Sequence, residues 1–155
     1  MIVEHADITD IDSLTELRLA YLKEDYGNLS EDDIKKIRQA LPDYFKKNLN
    51  HNIFCYVIKE NEEIIACAFL LIIEKLMSPA FITGRTGTVL NVYTAPSYRH
   101  QGCAKMIMNQ LLSDAVQKNL SVVELKATEE GYHLYKSVGF VDDVSKYHFM
   151  KWYNQ

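Results

Sequence analysis

An arginine and a glycine stand directly before a predicted helix in the stretch YRHQGCAKMIM, residues 98 to 108. Apolar positions from Ala104 to Ala115 recur every three or four residues, which predicts a helix that packs one face on a sheet. The first amides of such a helix have no acceptor within it and attract anions. Gly102 would let a phosphate approach these amides, and Arg99 would add positive charge. As a bare pattern, RxxGxA fits a solvated helix start with a flexible turn equally well.

Two predicted strands flank this helix. The stretch TVLNVYT (Thr88 to Thr94) is rich in β-branched residues and is ended by Pro96, and SVVELKA (Ser121 to Ala127) follows the helix. Two strands joined in this way form a parallel pair with a right-handed helical crossover. Thr128 can cap a further helix, which Gly139 is suited to end.

The rest of the chain predicts elements that surround the parallel pair. They are a short strand in IVEHA, a helix from Asp10, a helix from Ser30 that Pro42 breaks or kinks, a hairpin of Ile53 to Lys59 with Glu63 to Ile73, and one or two strands in VSKYHFMKW. This order predicts an α/β (α+β) fold with a mixed, mostly antiparallel sheet, a central parallel strand pair and flanking helices.

Composition and charge exclude several classes of protein. A length of 155 residues favours one domain, residues 1–155. The formal net charge of −4 lacks the basic excess that nucleic-acid binding requires, and the longest apolar run, Ile64 to Ile73, is too short to cross a membrane. No secretory signal is visible, so a cytoplasmic location is expected. The three widely spaced cysteines indicate neither a disulfide framework nor a zinc site, and we expect no metal.

The segments NVYTAPSYRHQGCAKMIM and LKATEEGYHLYKSVGF together resemble the GNAT superfamily of acyl-CoA-dependent N-acetyltransferases. The resemblance to the family's core runs from about residue 88 to residue 140, and the order of earlier elements agrees from Ile2 onward. It implies a GNAT-like fold in which the parallel strands splay apart and acetyl-CoA lies in the gap as co-substrate.

The resemblance also implies roles for individual residues. Pantetheine would hydrogen-bond to the free strand edge at Val92 and Thr94, and Thr128 stands on the cofactor side, where many members have asparagine. The pyrophosphate would lie on the loop of Arg99, His100, Gln101, Gly102, Cys103 and Ala104. Tyr135 in LYKSVGF matches the residue often assigned as the acid that protonates the departing thiolate. Taken alone, this tyrosine would be interpreted as a core-edge residue on an amphipathic helix.

The implied reaction is direct attack of a primary amine, on a small molecule or a peptide, on the thioester of acetyl-CoA. Most of the rate enhancement would come from holding the reactants together and from donors aimed at the oxyanion, such as a strand amide near Val92. Two alternatives stay open: transfer of a longer acyl chain, and a non-catalytic module that binds CoA or a nucleotide as a sensor. Pairing of sheet edges offers a route to a homodimer.

The sequence departs from the family at the position of the general base. Many relatives carry glutamate where this chain has Asn91, and an amide cannot take up a proton at neutral pH. A thiol at a helix N-terminus, such as Cys103, can be reactive, although packing is the favoured role here. Candidates for a replacement base are Glu63, His133, Glu24 and Asp25.

Overall fold

A computed structural model describes all residues from Met1 to Gln155. The helices are α1 (Ile11–Tyr26), α2 (Glu31–Asn48), α3 (Cys103–Gln117) and α4 (Tyr132–Ser137). The strands are β1 (Glu4–His5), β2 (Ile53–Glu60), β3 (Glu63–Glu74), β4 (Arg85–Thr94) and β5 (Val122–Glu124). They form one mixed sheet in the order β1-β2-β3-β4-β5, in which every neighbouring pair is antiparallel except β4 with β5.

The helices cover both faces of this sheet. On one face, Ile107, Met108 and Leu111 of α3 pack against strand residues of a fully buried cluster. On the other face, Leu14 of α1 and Phe45 of α2 belong to a second cluster. The expected β2–β3 hairpin forms, and its two-residue turn has positive φ at both positions, as a type I′ turn requires.

A break, one of the two outcomes expected at Pro42, does not occur, because helix α2 continues through the proline to Asn48. Ser30 caps its start by accepting a hydrogen bond from the Asp33 amide at 3.1 Å. Phe45, only 1% exposed, anchors the half of the helix that follows the proline. Burial of this side chain offsets the local cost of the missing backbone donor.

The parallel pair is splayed. Strand β5 pairs with β4 only at Thr86, Gly87 and Thr88, whereas β4 continues to Thr94. A Cβ at Gly87 would lie 2.7 Å from Leu70 Cδ1 and 3.0 Å from Leu120 Cδ1, so any larger residue would force these side chains to shift where the two strands meet. Beyond this point a gap opens between the two chain segments.

The position of this pair corrects one expectation. The pair lies at the edge of the sheet and not at its centre, because residues 141–155 form no helix or strand. No backbone hydrogen bond joins these residues to the sheet. The alternating pattern of VSKYHFMKW suits a strand, but a strand also needs a neighbour with which to pair.

A β-bulge interrupts β4 beside the gap. Leu90 lies opposite Phe69 and Tyr93 lies opposite Cys67, so two residues, Asn91 and Val92, share the space opposite one. Asn91 has φ = 57°, a left-handed conformation that asparagine tolerates better than most residues. The bulge therefore gives Asn91 a structural role and redirects the backbone at the gap.

Candidate functional site

The gap between β4 and β5 opens into a pocket of about 530 Å³. Its walls are the end of α1, the edge of β4, the start of α3 and the loop that leads into α4. All the site residues expected from the sequence except Gln101 line this pocket: Val92, Thr94, Arg99, His100, Gly102, Cys103, Ala104, Thr128 and Tyr135. Gln101 is exposed, and its side-chain Nε2 donates to the backbone carbonyl of Ser97 at 3.3 Å.

The backbone of β4 presents unpaired polar groups to the pocket. The amide of Ala95 donates to the carbonyl of Ile65 on β3 at 2.8 Å, and Tyr93 pairs with Cys67. Because strand residues alternate in direction and trans peptides are planar, both backbone groups of Thr94 and the carbonyl of Val92 face away from β3. No β5 residue pairs with them, since the parallel ladder ends at Thr88.

The bulge also aims an amide away from the α1–α2 side of the sheet. The carbonyl of Asn91 accepts from the thiol of Cys67, which lies in the cluster beneath α1 and α2, at 3.7 Å. In a trans peptide the next N–H points the opposite way, so the amide of Val92 is directed away from that side. In a regular strand pair a neighbouring carbonyl would accept from this amide. Here the amide remains a free donor beside the pocket.

The N-terminus of α3 supplies a second group of donors. Gly102 begins the helix at φ = 84°, and His100 has φ = 63°. The first backbone bond within the helix runs from the Met106 amide to the Gly102 carbonyl, so the amides of Cys103 to Lys105 have no acceptor in the helix. The first turn carries no acidic residue, which leaves the positive end of the helix dipole uncompensated.

Arg99 links three parts of the pocket. Its Nε donates to the carbonyl of Thr94 at 2.8 Å, and its Nη2 donates to both carboxylate oxygens of Glu24 at 2.8 and 3.0 Å. The guanidinium also lies over the ring of Tyr93. The hydrogen bond with Glu24 raises the pKa of Arg99, so the positive charge is fixed at the pocket wall.

Tyr135 lies deep in the pocket wall on α4. Burial, and secondarily the nearby Tyr21, raises the pKa of its phenol to about 12, so the side chain stays protonated at neutral pH. Its ring packs on Phe140 and covers Gly131, where a Cβ would lie 2.8 Å from the Tyr135 ring. The hydroxyl of Thr128 accepts from the Gly131 amide at 3.1 Å and fixes the loop on which the ring lies.

The candidate bases differ in position. Glu24 and Asp25 line the pocket, whereas Glu63 and His133 are exposed and lie outside it. Glu24 is paired with Arg99, and Asp25 forms no ion pair. Asn91 is 3% exposed, and its Oδ1 accepts from Arg18 Nη1 at 3.3 Å.

Sequence reasoning missed several pocket residues. Lys105 adds a positive charge in the first turn of α3, three residues after Gly102, a spacing visible in the sequence. Tyr21, Tyr93, Glu129 and Glu130 also line the pocket. Local sequence signals could not identify Tyr21 as a pocket residue, because only tertiary packing brings the end of α1 to the gap.

A smaller cavity of about 200 Å³ lies on the α1–α2 side of the sheet. Its wall contains one charged side chain, Arg18, and the hydrophobic residues Leu41, Tyr44, Phe45, Ile53, Phe69 and Leu90. Arg18 forms no ion pair and reaches both Asn91 and the ring of Tyr21, so it joins this cavity to the larger pocket.

Three further observations complete the description of the chain. No helix combines the length and apolar character that crossing a bilayer requires. No three His, Cys, Asp or Glu side chains converge in a way that could hold a metal ion. The thiol of Cys103 is buried against the sulfur of Met1 at 3.6 Å, which fits a packing role.

The chain matches a family model described as the Acetyltransferase (GNAT) family over residues 11–140. Its fold is similar to that of a predicted acetyltransferase with acetyl-CoA from Clostridium acetobutylicum, with a TM-score of 0.83, 30% sequence identity and coverage of 96% of this chain and 94% of that chain. None of the curated proteins matches the sequence.

Two further solved structures share the fold at lower identity. A GCN5-related N-acetyltransferase from Ralstonia eutropha is 22% identical with a TM-score of 0.80, covering 96% of this chain and 97% of that chain. A glucosamine-6-phosphate N-acetyltransferase from Arabidopsis thaliana is 15% identical with a TM-score of 0.63, covering 98% of this chain and 97% of that chain.

The contact between Gly131 and Tyr135 can be tested by a double-mutant cycle. Gly131→Ala should lower the free energy of unfolding by about 1 kcal/mol, because its Cβ must push the Tyr135 ring aside. The backbone at Gly131 has φ = −83°, which alanine adopts without strain. In a Tyr135→Ala background the same change should cost almost nothing in urea unfolding. An equal cost in both backgrounds would show that the ring is not the obstacle.

Proposed function

This chain belongs to the GNAT acetyltransferase family, and we propose that it transfers the acetyl group of acetyl-CoA to a primary amine of a small molecule or peptide by direct attack. One observation carries the proposal. The unpaired edge of β4, the N-terminus of α3 and the phenol of Tyr135 all face the same pocket.

The pocket has the chemistry that acetyl-CoA requires. The Val92 carbonyl and the Thr94 amide can hydrogen-bond to the amides of pantetheine, whereas the Thr94 carbonyl already accepts from Arg99. The amides at the start of α3, with Lys105 and Arg99, suit the pyrophosphate, and no acidic residue in that turn opposes it. No atom lies within 4 Å of the place where a Gly102 side chain would begin, so a phosphate has room to approach.

Bound acetyl-CoA supplies a thioester whose carbonyl develops negative charge as the amine attacks. The amide of Val92 is the donor that we assign to this oxyanion. Holding amine and thioester in the splayed gap supplies the larger part of the acceleration. The thiolate then leaves toward Tyr135.

Tyr135 acts on the thiolate mainly as a hydrogen-bond donor. A phenol with a pKa of about 12 is a weaker acid than a thiol, whose ordinary pKa is about 8.5, so full proton transfer to the thiolate is uphill. A charge-assisted hydrogen bond contributes roughly 1.5–3 kcal/mol, which corresponds to about 10- to 100-fold in rate.

No protein base is needed if the amine arrives neutral. Asn91 cannot accept a proton, and Glu24 is held by Arg99. Asp25 lines the pocket without an ion pair, but a carboxylate is a far weaker base than the amine itself. We therefore assign the loss of the ammonium proton to solvent before attack. The nitrogen loses a second proton as the C–N bond forms and the C–S bond breaks, and this proton passes through solvent to the departing thiolate, so the products are the amide and the thiol. Three free cysteines suit a reducing compartment, and we keep the cytoplasm as the expected location.

The cavity beside Asn91 is the place that we assign to the acceptor. Its wall is apolar, and its one charge, on Arg18, has no carboxylate partner. An amine that carries an apolar group and an anionic group would fit this wall. The glucosamine-6-phosphate enzyme among the structural neighbours is named for an amine with an anionic group.

Acetyl-CoA turnover is tested by thiol release against a panel of amino acids, polyamines, aminoglycosides and peptide N-termini. We expect release that depends on one acceptor class, and Tyr135→Phe should lower kcat about 10- to 100-fold with little change in CoA affinity. Binding of CoA without turnover with any acceptor would instead favour a sensor. Unchanged kcat in Tyr135→Phe would remove the role of the phenol.

The phosphate site is tested by Gly102→Glu, which places a carboxylate before the α3 amides. CoA affinity measured by calorimetry should fall at least tenfold, because the added charge repels the pyrophosphate. Gly27→Glu is the matched control, since Gly27 also has positive φ and open space but does not line the pocket. Equal weakening by both changes would contradict the assignment.

The pH dependence of kcat/KM tests the absence of a protein base. Activity should rise with pH and level off near the amine pKa of the acceptor, so two acceptors of different pKa should give different inflections. Because burial raises the pKa of Tyr135 to about 12, its protonated form persists and no falling limb should appear below about pH 11. An inflection at the same pH with both acceptors would indicate a base on the protein.

A further inference from the structure

The smaller cavity, on the α1–α2 side of the sheet, contains two polar side chains, Arg18 and Tyr44, among apolar ones. The guanidinium of Arg18 makes one hydrogen bond within the chain, to Asn91, and no ion pair, so most of its N–H donors are free. Asn48 binds the backbone carbonyl of Tyr44, whose hydroxyl has no partner. Burial raises the pKa of this phenol, so it stays protonated and can donate. Together the two side chains suit an anionic group of a ligand.

Arg18 also lies close to the reacting centre. Its Nη1 is 3.3 Å from Asn91 Oδ1, and the amide assigned to the thioester oxyanion belongs to the next residue, Val92. The guanidinium lies over the ring of Tyr21, which lines the acetyl-CoA pocket. An anionic group held by Arg18 is therefore near the thioester, and the attacking nitrogen must be near that group in the acceptor. In an α-amino acid the amine and the carboxylate share one carbon atom.

The rest of the cavity wall selects an apolar side chain. It consists of Leu41, Phe45, Ile53, Phe69 and Leu90. The volume of about 200 Å³ is below the roughly 300–1,000 Å³ of pockets that enclose drug-sized ligands, so the cavity holds one side chain. Sugar hydroxyls would lose water here without gaining a partner. The further ammonium groups of a polyamine would meet the positive charge of Arg18.

We propose that the acceptor is a free α-amino acid with a large apolar side chain, such as leucine, methionine or phenylalanine. Its carboxylate binds Arg18 and Tyr44, its side chain fills the apolar cavity, and its amine faces the thioester. This inference rests on the proposed acetyl transfer. The neutral amine forms a bond to the acetyl carbon as the carbon–sulfur bond breaks, and the proton that the nitrogen loses ends on the CoA thiol. The products are an N-acetyl amino acid and CoA.

A matched series of acceptors tests the carboxylate and the side chain separately, with rates expressed per concentration of neutral amine. Phenylalanine should have a kcat/KM at least tenfold above that of phenylalaninamide, which keeps the side chain, represents a peptide N-terminus and offers no charge to Arg18. Glycine keeps the carboxylate but leaves the apolar cavity empty, so it should also fall at least tenfold below phenylalanine.

Arg18→Met tests the carboxylate contact from the side of the protein. The KM for phenylalanine should rise at least tenfold and the preference over phenylalaninamide should vanish, whereas the KM for acetyl-CoA should not change. Loss of the Asn91 hydrogen bond alone would affect the acid and the amide equally, so the ratio between them isolates the carboxylate contact. Lys23→Met is the matched control, because Lys23 is an exposed cation on the same helix that lines neither pocket. It should leave both KM values unchanged.

Calorimetry with phenylalanine on the CoA-bound protein distinguishes failure of this inference from failure of the proposed transfer. Phenylalanine should bind the wild type and bind Arg18→Met at least tenfold more weakly. Thiol release with polyamines, aminoglycosides or peptide N-termini but not with apolar amino acids would overturn this inference and leave the acetyl transfer standing. Binding of phenylalanine that depends on Arg18 but gives no thiol release would support the amino-acid site and contradict the transfer. Equal efficiency of phenylalanine and phenylalaninamide would overturn the carboxylate contact.

Discussion

The separation of β4 from β5 after Thr88 is the constraint on which the site depends. While two strands stay paired, their backbone groups are satisfied by each other and offer nothing to a ligand. Once they part, β4 continues for six residues with one side unpaired, and the Arg99 guanidinium binds one of the free carbonyls, that of Thr94. The crossover that joins the two strands necessarily places the start of α3 at the same end of the gap.

Local conformations adapt this edge to chemistry. The bulge at Asn91 turns the Val92 amide out of the regular ladder, and the positive φ of Gly102 begins α3 without a side chain before its amides. A different constraint favours glycine at position 131, because the Tyr135 ring occupies the space that a Cβ would need. Asn91 suits the left-handed bulge but cannot take up a proton, so we assign to solvent the proton that a glutamate would take up.

Much of the fold followed from local sequence signals. Periodicity identified α3, alternation and turn residues identified the β2–β3 hairpin, and the strand-helix-strand order identified the parallel pair. Contacts between distant residues could not be predicted from local signals. The Glu24–Arg99 ion pair joins residues that are 75 positions apart, and the helix continues through Pro42 where Phe45 is buried. Residues 141–155 show the same limit, because a strand-like pattern does not supply the neighbouring strand that pairing requires.

Backbone amide chemical shifts measured during titration with CoA report on the gap between β4 and β5 one amide at a time. We expect saturating shifts for the amides of Thr94, Cys103 and Ala104, whereas the amide of Tyr93, which faces β3, should change little. Saturable binding that leaves Thr94 and Cys103 unmoved would contradict the assignment of the splayed gap as the acetyl-CoA site.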